Sequence, residues 1–309
     1  MRIIFMGSAG FACPCLERLL ASATDEVVAV VTQPDRPKGR NLEVSSCPVK
    51  QFLGDRQIPV LNPERVNTPE SLERLQALRP QLIVVVAYGQ LLKPALLALP
   101  PLGCINVHGS LLPRYRGAAP IQWAVANGDA VSGVSTMFMD SGMDTGDVIL
   151  KRELPIEAYD TGGTYHDKLS AAGAALLGET IELIRQGTAI GIPQDHVTAT
   201  NAPKLRKVDG RLDWTLPARV LHNHIRGFNP WPGTFCDLPG SPGKTLKVTV
   251  SRIEPGSGAP GTLIEAAGDG LLIQTSNQAL RLLEVQPEGR KPMSGAAFLR
   301  GYSPDIKGL

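Results

Sequence analysis

Leu82-Ile83-Val84-Val85-Val86-Ala87 is an unbroken apolar run that ends at Tyr88-Gly89. A strand with one wet face alternates apolar and polar side chains. A β-branched run without alternation fits a strand covered on both faces, as in a parallel sheet flanked by helices. Ile3 to Met6, Val27 to Thr32 and Cys104 to Val107 read the same way. Between these runs, Ala12 to Ala21, Pro69 to Leu78 and Ala118 to Asn127 have the spacing of helices. Strands and helices in this alternation predict an α/β fold with a Rossmann-like, doubly wound, mostly parallel sheet. A further strand is expected at Val134 to Met139, and a long helix from about Thr164 to Gln186 closes this part of the chain.

The pattern then changes. Periodicity fades from Gly187 to Lys207, where Pro193 and Pro203 sit among polar residues, and the stretch ends in Lys204-Leu205-Arg206-Lys207. A helix is expected from Ala218 to Arg226. Short strands follow at Thr245 to Ile253, Gly261 to Glu265, Leu271 to Thr275 and Leu280 to Gln286. Close spacing of short strands predicts a small antiparallel barrel or sandwich. With 309 residues, too many for one ordinary core, the chain is expected to hold a domain over 1–190, a linker over 191–207 and a second domain over 208–309.

An apolar fraction of 43% and a charged fraction of 19% fit a folded globular protein and speak against disorder. The formal net charge of +2 does not mark a nucleic-acid binder, so any such contact must come from local clusters. Two are visible: Arg36, Lys38 and Arg40 between Pro34 and Asn41, and Lys204, Arg206 and Lys207. Either could equally be a solvated surface. The five cysteines are odd in number and show no C-x-x-C pair, so free thiols are expected instead of a disulfide framework or a zinc site. The N-terminal apolar run is too short for a secretion signal, and Gly89, Gln90, Lys93 and Pro94 break the apolar stretch from Leu82 to Leu99 well short of a bilayer span.

Two segments carry chemistry. In Cys104-Ile105-Asn106-Val107-His108-Gly109-Ser110-Leu111-Leu112-Pro113, a buried strand ends by presenting Asn106 and His108 on one side. Ligands of open α/β sheets bind beyond the carboxyl ends of strands. An amide there can donate to an oxyanion, and an imidazole can also move a proton. In Met139-Asp140-Ser141-Gly142-Met143-Asp144-Thr145-Gly146-Asp147, Gly142 and Gly146 flank Asp144, as a tight loop with unusual backbone angles would require. A carboxylate there can orient an imidazole; the alternative is a set of turn and capping residues. Gly7-Ser8-Ala9-Gly10 follows a strand but lacks the G-x-G-x-x-G spacing of a dinucleotide loop.

Asn106 to Pro113, followed by Arg114-Tyr115-Arg116-Gly117-Ala118-Ala119-Pro120-Ile121-Gln122, resembles the motif of the folate-dependent formyltransferases, and Met143 to Asp147 resembles their second catalytic loop. The resemblance implies that Asn106, His108 and Asp144 are catalytic and that 10-formyltetrahydrofolate is the co-substrate, with no metal. It implies folate binding through Ser110, Leu111, Leu112 and Pro113, beside a strand end at Tyr88 and Gly89. Thr32 to Arg40, with Cys47-Pro48-Val49-Lys50, is similar to the acceptor-end loop of the tRNA-formylating branch. Phe228-Asn229-Pro230-Trp231-Pro232-Gly233 is similar to the start of its C-terminal OB-like β-barrel domain. The implied reaction moves a formyl group to the free amine of methionyl-initiator-tRNA. The implied protein is a cytoplasmic monomer that binds tRNA through Arg36, Lys38, Arg40, Lys204, Arg206 and Lys207. Asn41-Leu42-Glu43 makes the loop less basic than in many relatives. The rival readings are a formyltransferase of a small amine, such as an amino-sugar nucleotide or glycinamide ribonucleotide, and a non-catalytic RNA-binding protein on the same fold. A dinucleotide oxidoreductase is disfavoured by the missing fingerprint.

Overall fold

The computed structural model describes residues 1–38, 43–239 and 243–302. The chain packs as two units. Of the described residues, the first holds those in 1–117, 131–155 and 166–202; the second holds those in 118–130, 156–165 and from Pro203 on.

The strands of the first unit are β1 (Arg2–Gly7), β2 (Glu26–Val31), β3 (Arg36–Lys38), β4 (Glu43–Ser45), β5 (Val60–Leu61), β6 (Leu82–Val86), β7 (Cys104–His108), β8 (Arg116–Gly117), β9 (Val131–Phe138), β10 (Val148–Pro155) and β11 (Asn201–Ala202). Seven form one sheet in the order β10-β9-β7-β6-β1-β2-β5. From β7 to β5 the strands are parallel, and every residue of β6 and β7 is buried, as the unalternating runs predict. The far edge departs from the pattern. β9 starts at Val131 and runs antiparallel to β7, and β10, a strand the apolar runs do not announce, is antiparallel to β9. Lys151, Arg152 and Glu153 hide β10 in the sequence. It is an edge strand with one wet face, and its burial alternates accordingly.

Helices α1 (Cys13–Leu20), α2 (Pro48–Leu53), α3 (Pro69–Ala77), α4 (Pro94–Leu97) and α5 (Pro120–Ala126) each carry Pro in the first turn, where its missing N–H costs nothing. The Thr68 hydroxyl also caps α3 by accepting from Ser71 N–H at 3.2 Å. The long helix α6 (Gly162–Gln186) lies on β7 and β9. A Cβ at Gly173 would stand 3.1 Å from Val107, and Thr180 shares a 2.7 Å hydrogen bond with Thr136.

The second unit is an antiparallel sheet of β12 (Thr234–Asp237), β13 (Thr245–Glu254), β14 (Leu263–Ala267), β15 (Gly270–Gln274), β16 (Ala279–Pro287) and β17 (Met293–Ser294). Leu221 and Ile225 of α7 (Ala218–Gly227) and Phe298 of α8 (Gly295–Tyr302) share its core with Val248, Ile273 and Leu282. α5 packs on α7 so closely that a Cβ at Gly227 would lie 2.5 Å from the Ala126 nitrogen, and Trp123 meets Phe228 edge-on. A helix expected beside the sheet of the first half therefore groups with the second.

All five cysteines are free thiols, and burial pushes Cys15, Cys104 and Cys236 up to about 12. Among the described residues no helix is long and apolar enough to cross a membrane.

Candidate active site

β7 delivers His108 to the carboxyl edge of the sheet with its ring buried. Nε2 donates to the Tyr115 carbonyl at 2.9 Å. A carbonyl only accepts, so this contact keeps a proton on Nε2 and leaves the lone pair on Nδ1. Nδ1 faces Oδ2 of Asp144 at 3.7 Å, within ion-pair range but too long for a direct hydrogen bond. The same carboxylate oxygen accepts from Gly117 N–H at 2.8 Å. Such an arrangement can accept a proton at Nδ1 and hold the resulting imidazolium against a carboxylate.

Asp144 is placed by its loop. Asp140 Oδ1 accepts from Gly142 N–H at 3.0 Å and from the Thr145 hydroxyl at 2.7 Å. The left-handed angle expected at the glycines falls on Asp144 itself, at φ 55°. Gly142 and Gly146 are needed for space: a Cβ would lie 2.0 Å from Thr145 Oγ1 and 1.8 Å from the Phe138 carbonyl oxygen, respectively. Gly117 needs both freedoms, with φ 120° and a Cβ position 2.7 Å from the Ala202 carbonyl oxygen.

Asn106 shares the side of β7 that carries His108. Its side-chain amide makes no hydrogen bond among the described residues, which leaves a donor available at the end of the strand.

The expected folate contacts divide. Ser110 is buried, and its hydroxyl is spent on the Arg114 carbonyl at 2.6 Å; its own carbonyl accepts from Ser135 Oγ at 2.7 Å. Leu112, followed by a cis bond to Pro113, is buried with Met137 and Val148. These two shape the turn, while Leu111 and Pro113 stay half-buried and can touch a ligand. The Tyr88 ring is not brought to the sheet edge. It packs among Ile4, Met6, Ile83 and Leu92, with a hydroxyl that finds no partner among the described residues. Burial pushes that phenol up to about 12. Its backbone reaches the edge instead: the Tyr88 carbonyl accepts from Gln33 Nε2 at 3.2 Å, and Gly89 turns at φ 89°.

An open cleft of about 520 Å³ sits at the carboxyl ends of β1, β2 and β6, lined by Ser8, Gly10, Gln33, Arg36, Cys47 and Ala87 among others. Asn106, His108 and Asp144 do not line it; the first two lie on β7, one strand beyond β6, and Asp144 in the loop that follows β9. Arg36 is exposed on β3, 3.7 Å from Glu64. Lys38 ends β3, and Arg40 lies outside the described residues. In the second unit Lys204, Arg206 and Lys207 are exposed, but Arg206 is held by Asp209 at 2.9 Å.

Sequence reasoning missed the backbone partners of His108 and Asp144, the Tyr115 carbonyl and Gly117 N–H. It also missed Thr200, from the stretch expected to be a linker. Its hydroxyl accepts from Tyr115 N–H at 2.8 Å, and β11 then pairs with β8.

A doubly wound sheet that presents an amide, a polarised imidazole and a carboxylate at its carboxyl edge has the parts of an acyl-transfer enzyme. Residues 1–181 match the family described as formyl transferase, and residues 204–303 match the formyl transferase C-terminal domain. The methionyl-tRNA formyltransferase of Desulfotalea psychrophila is 51% identical over 97% of this chain and 93% of that protein; the protein of the same name from Desulforamulus reducens is 48% identical over 97% and 95%. The chain belongs to the methionyl-tRNA formyltransferase family. Among solved structures, WlaRD, a sugar 3N-formyl transferase, superposes with a TM-score of 0.65 at 17% identity, covering 94% of this chain and 99% of that one. HypX from Aquifex aeolicus in complex with tetrahydrofolic acid superposes with a TM-score of 0.62 at 17% identity; 99% of this chain covers 48% of HypX. At that identity both likenesses are of fold.

Proposed function

We propose that the chain transfers the formyl group of 10-formyltetrahydrofolate to the free amino group of methionyl-initiator-tRNA, giving formylmethionyl-tRNA for translation initiation in the cytoplasm. The amine nitrogen attacks the formyl carbon, the bond from that carbon to folate N10 breaks, the ammonium loses a proton and N10 gains one. Asn106 donates to the oxyanion that forms between these events. His108 works through Nδ1, and Asp144 stabilises its imidazolium and assists proton delivery to the departing nitrogen.

One observation carries this reading: an imidazole anchored at Nε2 by the Tyr115 carbonyl, with Nδ1 turned to Asp144, beside the unengaged amide of Asn106. In the same reading the folate-binding catalytic domain, expected over 1–190, also takes in the packed stretch 191–202, and the tRNA-binding domain of a monomer, expected over 208–309, takes in 118–130 and 156–165. Leu111, Pro113 and Gly89 contact folate, with Ser110 and Leu112 shaping their turn. Arg36, Lys38, Arg40, Lys204, Arg206 and Lys207 meet tRNA phosphates. The two bacterial relatives named above support the substrate assignment by name and by near-complete coverage.

The test combines the protein, labelled 10-formyltetrahydrofolate, methionylated initiator tRNA and a panel of small amines. Label is expected on the tRNA-borne amine. Label on a small amine alone would overturn the substrate assignment, and tRNA binding without transfer would leave a non-catalytic binder.

A further inference from the structure

The segment after α6 puts one buried side chain, Gln194, against the back of the catalytic loop. Its Nε2 donates to the carbonyls of Asp144 at 3.0 Å and Gly146 at 2.7 Å. Its Oε1 accepts from Arg116 Nε at 3.1 Å and Nη2 at 2.7 Å. A primary amide offers two donor and two acceptor positions, and all four are used. The partners also fix which end is which, because a flipped amide would set oxygen against two carbonyls and NH₂ against a guanidinium. Paired hydrogen bonds between Ile192 and Val148, at 2.8 and 2.9 Å, tie the segment to β10 just ahead of Gln194.

These contacts close a ring. Arg116 lies between Tyr115, whose carbonyl holds His108 Nε2, and Gly117, whose N–H holds the Asp144 carboxylate. Asp144 lies at the other end of the Gln194 amide, in a left-handed conformation that Asp tolerates better than most residues and that the contact to its carbonyl helps hold. Both partners of the imidazole are thus chain neighbours of groups that Gln194 grips. We propose that Gln194 is a positioning residue for formyl transfer: it locks the Asp144 loop to the segment Tyr115-Arg116-Gly117 and so fixes the approach of the carboxylate to His108. This rests on the catalytic roles given above to His108 and Asp144.

The experiment is a double-mutant cycle of Gln194→Ala and Asp144→Asn, with Gln194→Glu alongside, read by kcat and by KM for both substrates, with thermal unfolding as the check on folding. Misplacing a reacting group by about 1 Å costs on the order of 100-fold, so Gln194→Ala is expected to lower kcat about 10- to 100-fold. Both KM values should stay within about twofold. Gln194→Glu keeps the size and the Arg116 contacts but has no donor for the two carbonyls, and it should fall as far; it also carries the test should the alanine variant not fold. In the Asp144→Asn background the effect of Gln194→Ala should shrink to less than about threefold, since the group being positioned is gone. An equal effect in both backgrounds, a Gln194→Glu variant at the wild-type rate, or a change confined to KM would overturn the proposal. Wild-type turnover in Asp144→Asn alone would instead overturn the catalytic reading on which it stands.

Discussion

Both nitrogens of His108 face fixed partners, so the residue's contribution is separable by substitution. Asn106→Ala is expected to lower single-turnover formylation by about 10²–10³, the usual cost of removing one preorganised oxyanion donor, and His108→Ala by about 10²–10⁴, the usual cost of removing a group that moves a proton. tRNA binding should survive, and a near-normal rate in either variant would count against the assignment. Tyr88 gives the opposite expectation. Its buried hydroxyl has no partner among the described residues, so Tyr88→Phe removes an unsatisfied polar group. The thermal midpoint should hold or rise, by an amount equivalent to no more than about 1–3 kcal/mol, and the folate KM should not change. A raised folate KM would restore the pocket role that the family resemblance implies. Asn106, His108 and Asp144 stood out in the sequence because a strand end and a glycine-flanked loop carry them within motifs that resemble a known family. The Tyr115 carbonyl and Gly117 N–H did not, because every residue carries such groups and only tertiary placement makes these two matter. Gln194 was equally silent in a stretch without periodicity.

At the level of elements, β6 and β7 were readable from apolar runs that no wet-faced strand would show. The direction of β9 was not, since periodicity reports which face is buried and not which way the chain runs. The grouping of α5 with the second unit depends on Trp123, Phe228 and the bare Gly227, a fit between segments far apart in the chain. α7 makes a measurable prediction. Burial pushes His222 down, helped by the charges of Arg226 and Arg219, and burial alone pushes His224 down. His222 is also tied through Nδ1 to Ser251 Oγ at 3.0 Å. A histidine depressed in the folded state binds protons more readily when unfolded, so stability is present above the unfolded value and is lost as pH falls through about 6.5. The thermal midpoint should drop on acidification from about pH 7.5 to 5.5, and His222→Gln should flatten the drop. A parallel decline in that variant would remove His222 from the explanation.

For the molecule as a whole, a net charge of +2 gives little long-range attraction, and tRNA affinity must rest on a few cations. Removing one cation that neutralises a phosphate should lower the slope of log K against log salt by about 0.7–0.9. Lys204→Ala and Lys207→Ala are expected to show that change, and Arg206→Ala a smaller one, because Asp209 already neutralises the guanidinium. Arg40→Ala should weaken use of tRNA and leave folate binding alone. A slope unchanged in the Lys204, Arg206 and Lys207 variants, with tRNA use unchanged in Arg40→Ala, would move the interface elsewhere. The two-part organisation was legible in the shift of strand spacing past Lys207, but the assignment of 118–130 and 156–165 to the second unit was not, because packing partners are chosen in three dimensions. The buried thiols add a different kind of access to this organisation. Cys104 lies in the core under the parallel sheet and Cys236 in the core of the antiparallel one, each protonated and shielded. Neither can meet an alkylating reagent until its own half opens. Timed pulses of iodoacetamide, read peptide by peptide, would therefore clock the opening of each half separately, with the chain's own sulfur atoms as the probes.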